Sequence, residues 1–178
     1  MTPPRPARAV VCGVNGSTSS RVALLEALHR ARSTGAPLLV VTAYDAAGYS
    51  WGALASLPGG ELLPVFGLHR MQAAQEATLQ AFVDEVLADA RAQGSTLPVV
   101  ATRAVPGRPV DVLVRASADA AVLVVGHGEV AGPLTSVAAG CTRRARCPVV
   151  VVPLRRAAGS GSGTDVPRLR DRRTGLRP

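Results

Sequence analysis

The sequence predicts an α/β domain: an open, doubly wound parallel sheet of five strands with helices on both faces. Three observations carry this. Short β-branched runs alternate along the chain with longer stretches whose apolar residues recur at helical spacing. The strand-like runs are apolar at consecutive positions, as strands covered on both faces must be. Of the 178 residues 47% are hydrophobic but only 3% aromatic, so Val, Leu and Ala must fill the core in close layers.

The elements follow in order. RAVVCGV, over 8–14, is the first strand and ends at Asn15-Gly16-Ser17. Ser19 or Ser20 is positioned to cap the next helix, whose expected inner face is Val22, Leu24, Leu25, Leu28 and Ala31, with Gly35 as its stop. PLLVVTAY, over 37–44, is the second strand. Residues 45–67, with Tyr49, Trp51 and Pro64, read as a long irregular loop of the kind that serves as a lid or a binding loop. A helix is expected over 68–93, with Met71, Ala74, Leu79, Phe82, Val83, Val86, Leu87 and Ala90 on one stripe and Gly94 at its end. LPVVATRAV is the third strand, 109–118 a short helix and AVLVVG, over 121–126, the fourth strand. A last helix over 136–146 finishes in a basic turn, as the helix dipole favours. PVVVVP, bracketed by Pro148 and Pro153, is the fifth strand.

The length suits one domain, expected over 8–153, between a flexible leader over 1–7 and an Arg-rich tail over 154–178. The net charge of +8 is concentrated in that tail, which holds seven arginines and two aspartates. With Gly, Ser and Pro around them and no aromatic residue to stack on bases, the arginines read as a solvated, disordered segment, and no specific nucleic-acid partner is expected. No stretch reaches the roughly eighteen apolar residues of a membrane helix, and no signal peptide is evident, so the expected location is the cytoplasm. Cys12, Cys141 and Cys147 match no metal spacing and read as reduced thiols.

Every one of the 20 basic residues is arginine. A chain without lysine has no P-loop lysine and no Schiff-base lysine, which removes whole enzyme classes. Nor does any nucleophile elbow, metal box or Ser-His-Asp arrangement stand out; His29 and His69 fall singly on helices. The chain is not expected to be an enzyme with robust catalysis.

In a doubly wound sheet, ligands sit at the carboxyl ends of the strands where the winding reverses. That singles out the loops after strands one, two and four. Gly126-His127-Gly128-Glu129-Val130-Ala131 satisfies a relaxed dinucleotide pattern, but Arg146 stands where an acidic residue would bind ribose, so a dinucleotide site is not expected. The same loop reads better as a phosphate cradle: the backbone amides around Thr135, Ser136 and Val137 stand at a helix N-terminus, with the Ser136 hydroxyl as a further donor. The plain alternative is that Ser136 is a helix cap and the glycines a tight turn.

Three segments, VVCGVNGSTSSRVALLEAL, VPGRPVDVLVRASADAAVLVVG and LTSVAAGCTRRARCPVVVVP, resemble the signature regions of the universal stress protein family, in that order, and together span about 8–153. The resemblance implies a Rossmann-like five-stranded α/β domain, a stress-response role, a homodimer paired through the last strand, and in some members bound ATP or another adenine nucleotide, with Mg²⁺ only alongside it. Carried over by position, the implied nucleotide contacts are Asn15 beside Val14, Ala43 at the end of strand two, Val125, Gly126, His127 and Gly128, then Thr135, Ser136 and Val137. Asn15 replaces the family's aspartate, keeping hydrogen-bonding capacity and losing charge. The segment from Gly126 to Ser136 is shorter than the binders' loop, and Thr135 stands where a glycine is expected, so adenosine or a mono- or diphosphate is expected to suit it better than a triphosphate. The rival expectation is a homodimeric interaction protein that binds no nucleotide and works through the 45–67 loop or the basic tail.

Overall fold

The structure, a computed structural model, describes residues 8–45, 63–94, 96–127 and 136–154. Five strands, β1 (Val10–Gly13), β2 (Leu38–Tyr44), β3 (Val100–Pro106), β4 (Val122–His127) and β5 (Val149–Pro153), form one sheet in the order β3-β2-β1-β4-β5, with every neighbouring pair parallel. Among the described residues the helices are α1 (Thr18–Thr34), α2 (Leu63–Ala92), α3 (Pro109–Ala116) and α4 (Val137–Arg144). The chain leaves β1 towards β2 and β3, then returns to β1's other side for β4 and β5, so the winding reverses between β1 and β4.

Alternation along each strand builds two apolar layers. On one side Val10, Cys12, Val14, Leu38, Val40 and Val124 meet Ala23, Leu24, Ala27 and Leu28 of α1 and Leu79, Val83 and Val86 of α2. On the other, Val11, Val41, Leu123 and Val125 meet Val112 and Leu113 of α3 and Ala138 and Cys141 of α4. Strands buried on both faces carry no polar alternation, which is why consecutive valines suit them.

Two apolar faces differ from the sequence expectation. The buried face of α1 is Ala23, Leu24, Ala27, Leu28 and Ala31, while Leu25 is 45% exposed. Burial follows the i, i+4 row through the alanines, which lets the helix lie close on the sheet; a leucine one position along points some 100° away. In α2 burial begins at Leu79, and Ala74 is exposed, so the inner stripe occupies only the carboxyl half of the described side chains. The helix also starts at Leu63 instead of 68, because Pro64 falls in its first turn, where a missing N–H costs nothing. The rest of the expected long loop, with Tyr49 and Trp51, lies outside the described residues, as do the leader and the tail.

The cap of α1 is Ser17, two or three positions before the expected Ser19 or Ser20: its Oγ accepts from the Ser20 N–H at 3.3 Å. At the other end Gly35 adopts φ +64°, a left-handed conformation that closes the helix by donating its N–H back to Ala31 and Arg32. Between helices, Arg21 of α1 donates to Glu85 at 2.9 Å and Asp89 at 2.8 Å on α2, and Arg144 of α4 meets Asp111 of α3 at 2.7 Å. These partners are largely exposed, so each pair contributes about 0–1 kcal/mol and orients helices more than it stabilises them.

The sheet has two edges. β3 carries the charged, exposed Arg103 and ends in Pro106, both of which discourage pairing with another strand. β5 is four valines and a proline, with Val151 38% exposed. Among the described residues no helix is long and apolar enough to cross a membrane.

Candidate functional site

The parallel register brings the carboxyl ends of β1, β2 and β4 level: Gly13 pairs with Val41 on one side and Val125 on the other, and the Val14 N–H donates to the Val41 carbonyl at 3.0 Å. The amino-terminal parts of α1, α3 and α4 come together at this end of the sheet. The result is a cavity of about 200 Å³. Val41, Ala43, Leu113 and Val125 provide apolar wall; Asn15, Ser19, Ser20 and Ser136 are the polar side chains.

Seven of the residues expected from sequence line this cavity: Val14, Asn15, Ala43, Val125, Gly126, Ser136 and Val137. His127, the exposed last residue of β4, is not among the lining residues. Gly128 and Thr135 lie outside the described residues. Ser19, Ser20, Pro109 and Leu113 were not expected. The signal for the serines was present in the run STSS after strand one, but which serines turn inward depends on where the helix starts.

Ser136 is an N-cap: extended, at φ −66° and ψ 129°, its Oγ accepts from the Ala139 N–H at 3.5 Å. The plain reading of this serine is therefore correct, but it does not exhaust the hydroxyl. An oxygen that accepts at a cap still has its own proton to donate, and Ser136 borders the cavity. The first turns of α1 and α4 carry no acidic residue, so no carboxylate of those turns offsets the positive ends of their dipoles. The one first-turn acid of α3, Asp111, is paired with Arg144.

Gly126 has a steric reason of its own. A Cβ there would stand 2.5 Å from the Ser19 main-chain oxygen, so β4 can pass the first turn of α1 only as glycine. Asn15, exposed at the rim, accepts at Oδ1 from both the Ser17 N–H at 3.2 Å and the Ser17 hydroxyl at 2.7 Å.

A larger groove, about 780 Å³, opens at the opposite end of the sheet between His29, Arg32, Pro37 and Val99, and another of about 730 Å³ runs between α2 and β3. Size does not decide between them. The first faces the carboxyl end of α1, and neither lies at the winding reversal where helix N-termini converge. Among the described residues no group of three or more His, Cys, Asp or Glu is placed to hold a metal ion. The thiols are buried at Cys12 and Cys141; burial pushes the Cys12 pKa well up, and the Cys141 pKa up to about 11 despite the opposing charge of Arg144.

Compared with known proteins, residues 6–153 match the family model described as the universal stress protein family. The chain belongs to that family. Among curated relatives, universal stress protein Rv3134c of Mycobacterium tuberculosis (strain ATCC 25618 / H37Rv) is 35% identical over 156 residues, covering 85% of this chain and 51% of the relative. Universal stress protein MT3220 of strain CDC 1551 / Oshkosh matches equally, so this universal stress protein spans about half the length of the curated relatives it matches. Among solved structures, a universal stress protein in complex with cAMP is 28% identical, with a TM-score of 0.55 over 83% of this chain and 98% of that one. The universal stress protein from Archaeoglobus fulgidus in complex with dAMP, at 21% identity and a TM-score of 0.52 over 83% and 99%, shares the fold.

Proposed function

We propose that this universal stress protein is a cytoplasmic stress-response module that holds an adenine nucleotide at the carboxyl ends of β1, β2 and β4. The observation that carries the reading is the convergence of seven expected contact residues on one cavity with the N-termini of α1 and α4. The order of strands suggests how a ligand lies: the base against Val41 and Ala43 of β2, the sugar over Asn15 after the central β1, and the phosphate at Ser136 and Val137 beyond β4. At about 200 Å³ the cavity is smaller than the roughly 300 Å³ at which whole-ligand pockets begin, which fits a base with sugar and phosphate at the rim. The 28%-identical relative in complex with cAMP supports the same ligand class.

Catalysis is not part of the proposal. None of the described residues lining the cavity is His, Cys, Asp or Glu, so the lining supplies no general acid or base. Any Mg²⁺ would arrive with the nucleotide's phosphates.

Titration calorimetry with ATP, ADP, AMP and cAMP tests the reading. Micromolar binding of at least one, lost on Ser136→Asp, supports it. No heat and no thermal stabilisation up to millimolar nucleotide would sink it and leave the rival, an interaction protein without nucleotide. The valine-rich edge strand β5 favours a homodimer in either case, with two copies pairing through Val149–Pro153 across a two-fold axis.

A further inference from the structure

The hydroxyls after β1 form a chain whose direction is determined. Ser17 Oγ accepts from the Ser20 N–H at 3.3 Å and lies 2.9 Å from Ser19 Oγ, 2.7 Å from Asn15 Oδ1 and 3.4 Å from Ser20 Oγ. A hydroxyl has one proton, and the shortest contact, to an acceptor-only oxygen, takes it. Ser19 therefore donates to Ser17, and Ser17 donates to Asn15. The Ser20 hydroxyl spends its own proton on the Ser17 carbonyl at 2.8 Å.

The consequence falls on Asn15. Its Oδ1 already accepts two hydrogen bonds, from the Ser17 N–H and the Ser17 hydroxyl, so both lone pairs are taken. The amide cannot simply turn over, because that would set Nδ2, a donor, against the Ser17 N–H, another donor. What Asn15 offers the cavity is two N–H donors on Nδ2 and no free acceptor. A carboxylate at this position would behave in the opposite way: with one oxygen held by Ser17, the other would accept from a ligand hydroxyl.

We propose that Asn15 is a specificity-determining residue which recognises a ribose oxygen only as an acceptor. The proposal rests on the nucleotide reading above, in which the sugar crosses the end of β1. It follows that this site tolerates adenine nucleotides whose ribose oxygen carries no proton, the class of cyclic phosphodiesters and ribose esters, as an aspartate site would not. Since Asn15 is exposed at the rim, a substituent on that oxygen has room in solvent.

The test uses ligands of equal charge: AMP, its 2′-deoxy and 3′-deoxy analogues, and its 2′-O-methyl and 3′-O-methyl analogues, titrated into the wild-type chain and Asn15→Asp. A deoxy analogue removes the oxygen; an O-methyl analogue removes only its proton. In the wild type, one deoxy analogue should lose about tenfold in affinity, the worth of one hydrogen bond, while the matching O-methyl analogue stays within about threefold of AMP. In Asn15→Asp that same O-methyl analogue should lose about tenfold relative to AMP. If O-methylation and deoxygenation are equally harmful in the wild type, if neither deoxy analogue loses affinity, or if the pattern is the same in both proteins, the role of Asn15 is refuted and nucleotide binding stands. Failure of both proteins to bind AMP or any analogue refutes this proposal, and the nucleotide reading falls with it when ATP, ADP and cAMP give no heat either.

Discussion

Gly126 and Ser19 meet where strand and helix leave no room for a side chain: a Cβ on Gly126 would stand 2.5 Å from the Ser19 carbonyl oxygen and 3.2 Å from its Cβ. A glycine at the end of β4 invites a phosphate-binding interpretation, but its first duty is to let the sheet pass α1. Gly126→Ala should therefore destabilise the ligand-free protein by about 2 kcal/mol, the usual cost of overpacking against backbone. Thermal unfolding without nucleotide should show a fall of roughly 4–8 °C. An unchanged midpoint would return Gly126 to a purely ligand-facing role.

Ser136 combines a structural and a chemical task, and two substitutions separate them. Ser136→Ala removes the cap of α4 and should cost about 1 kcal/mol in urea unfolding. Ser136→Asp keeps a cap acceptor and suits the helix dipole, so stability should hold, while its charge repels phosphate. Adenosine should bind this variant much as it binds the wild type, and AMP much more weakly. Equal weakening of both ligands would mean that Ser136 does not face the phosphate.

Cys141 ties stability to alkaline pH. Its thiol has an ordinary pKa of 9.0 and is pushed up to about 11 in the folded chain, by burial first, with Arg144 lowering it and Cys147 adding to the rise. A group held protonated by the fold contributes stability that is fully present below the unfolded value and lost as pH rises through the folded one. Urea unfolding should therefore show a loss of about 2 kcal/mol from this thiol between pH 9 and 11. In Cys141→Ala the same pH series should fall less steeply. Near neutral pH, native-state alkylation should reach the half-buried Cys147 before Cys12 or Cys141.

Val151 reports on assembly. It lies on the edge strand and is 38% exposed, so Val151→Lys should leave the fold intact while placing a charge in any β5–β5 contact. Light scattering after size exclusion should give a dimer for the wild type and a monomer for the variant. A monomeric wild type at tens of micromolar would end the dimer proposal.

The sequence by itself determined the architecture. Consecutive apolar residues in five β-branched runs, separated by helical periods, admit little besides a parallel sheet covered on both faces, and the order of elements names the loops where a ligand can sit. Asn15, Ala43, Gly126 and Ser136 could be marked in advance because they terminate strands or open helices. What tertiary structure decided was direction and contact. The inward face of α1 runs through alanines because the sheet lies close, leaving Leu25 outside. Ser17, and not Ser19 or Ser20, caps that helix, which turns the other two serines toward the cavity and commits the Asn15 oxygen. Leu113 and Pro109 join the site from a helix distant in sequence. Periodicity records which residues prefer burial; it carries no information on what they are buried against, and hydrogen-bond direction depends on partners that only the folded chain brings within about 3 Å.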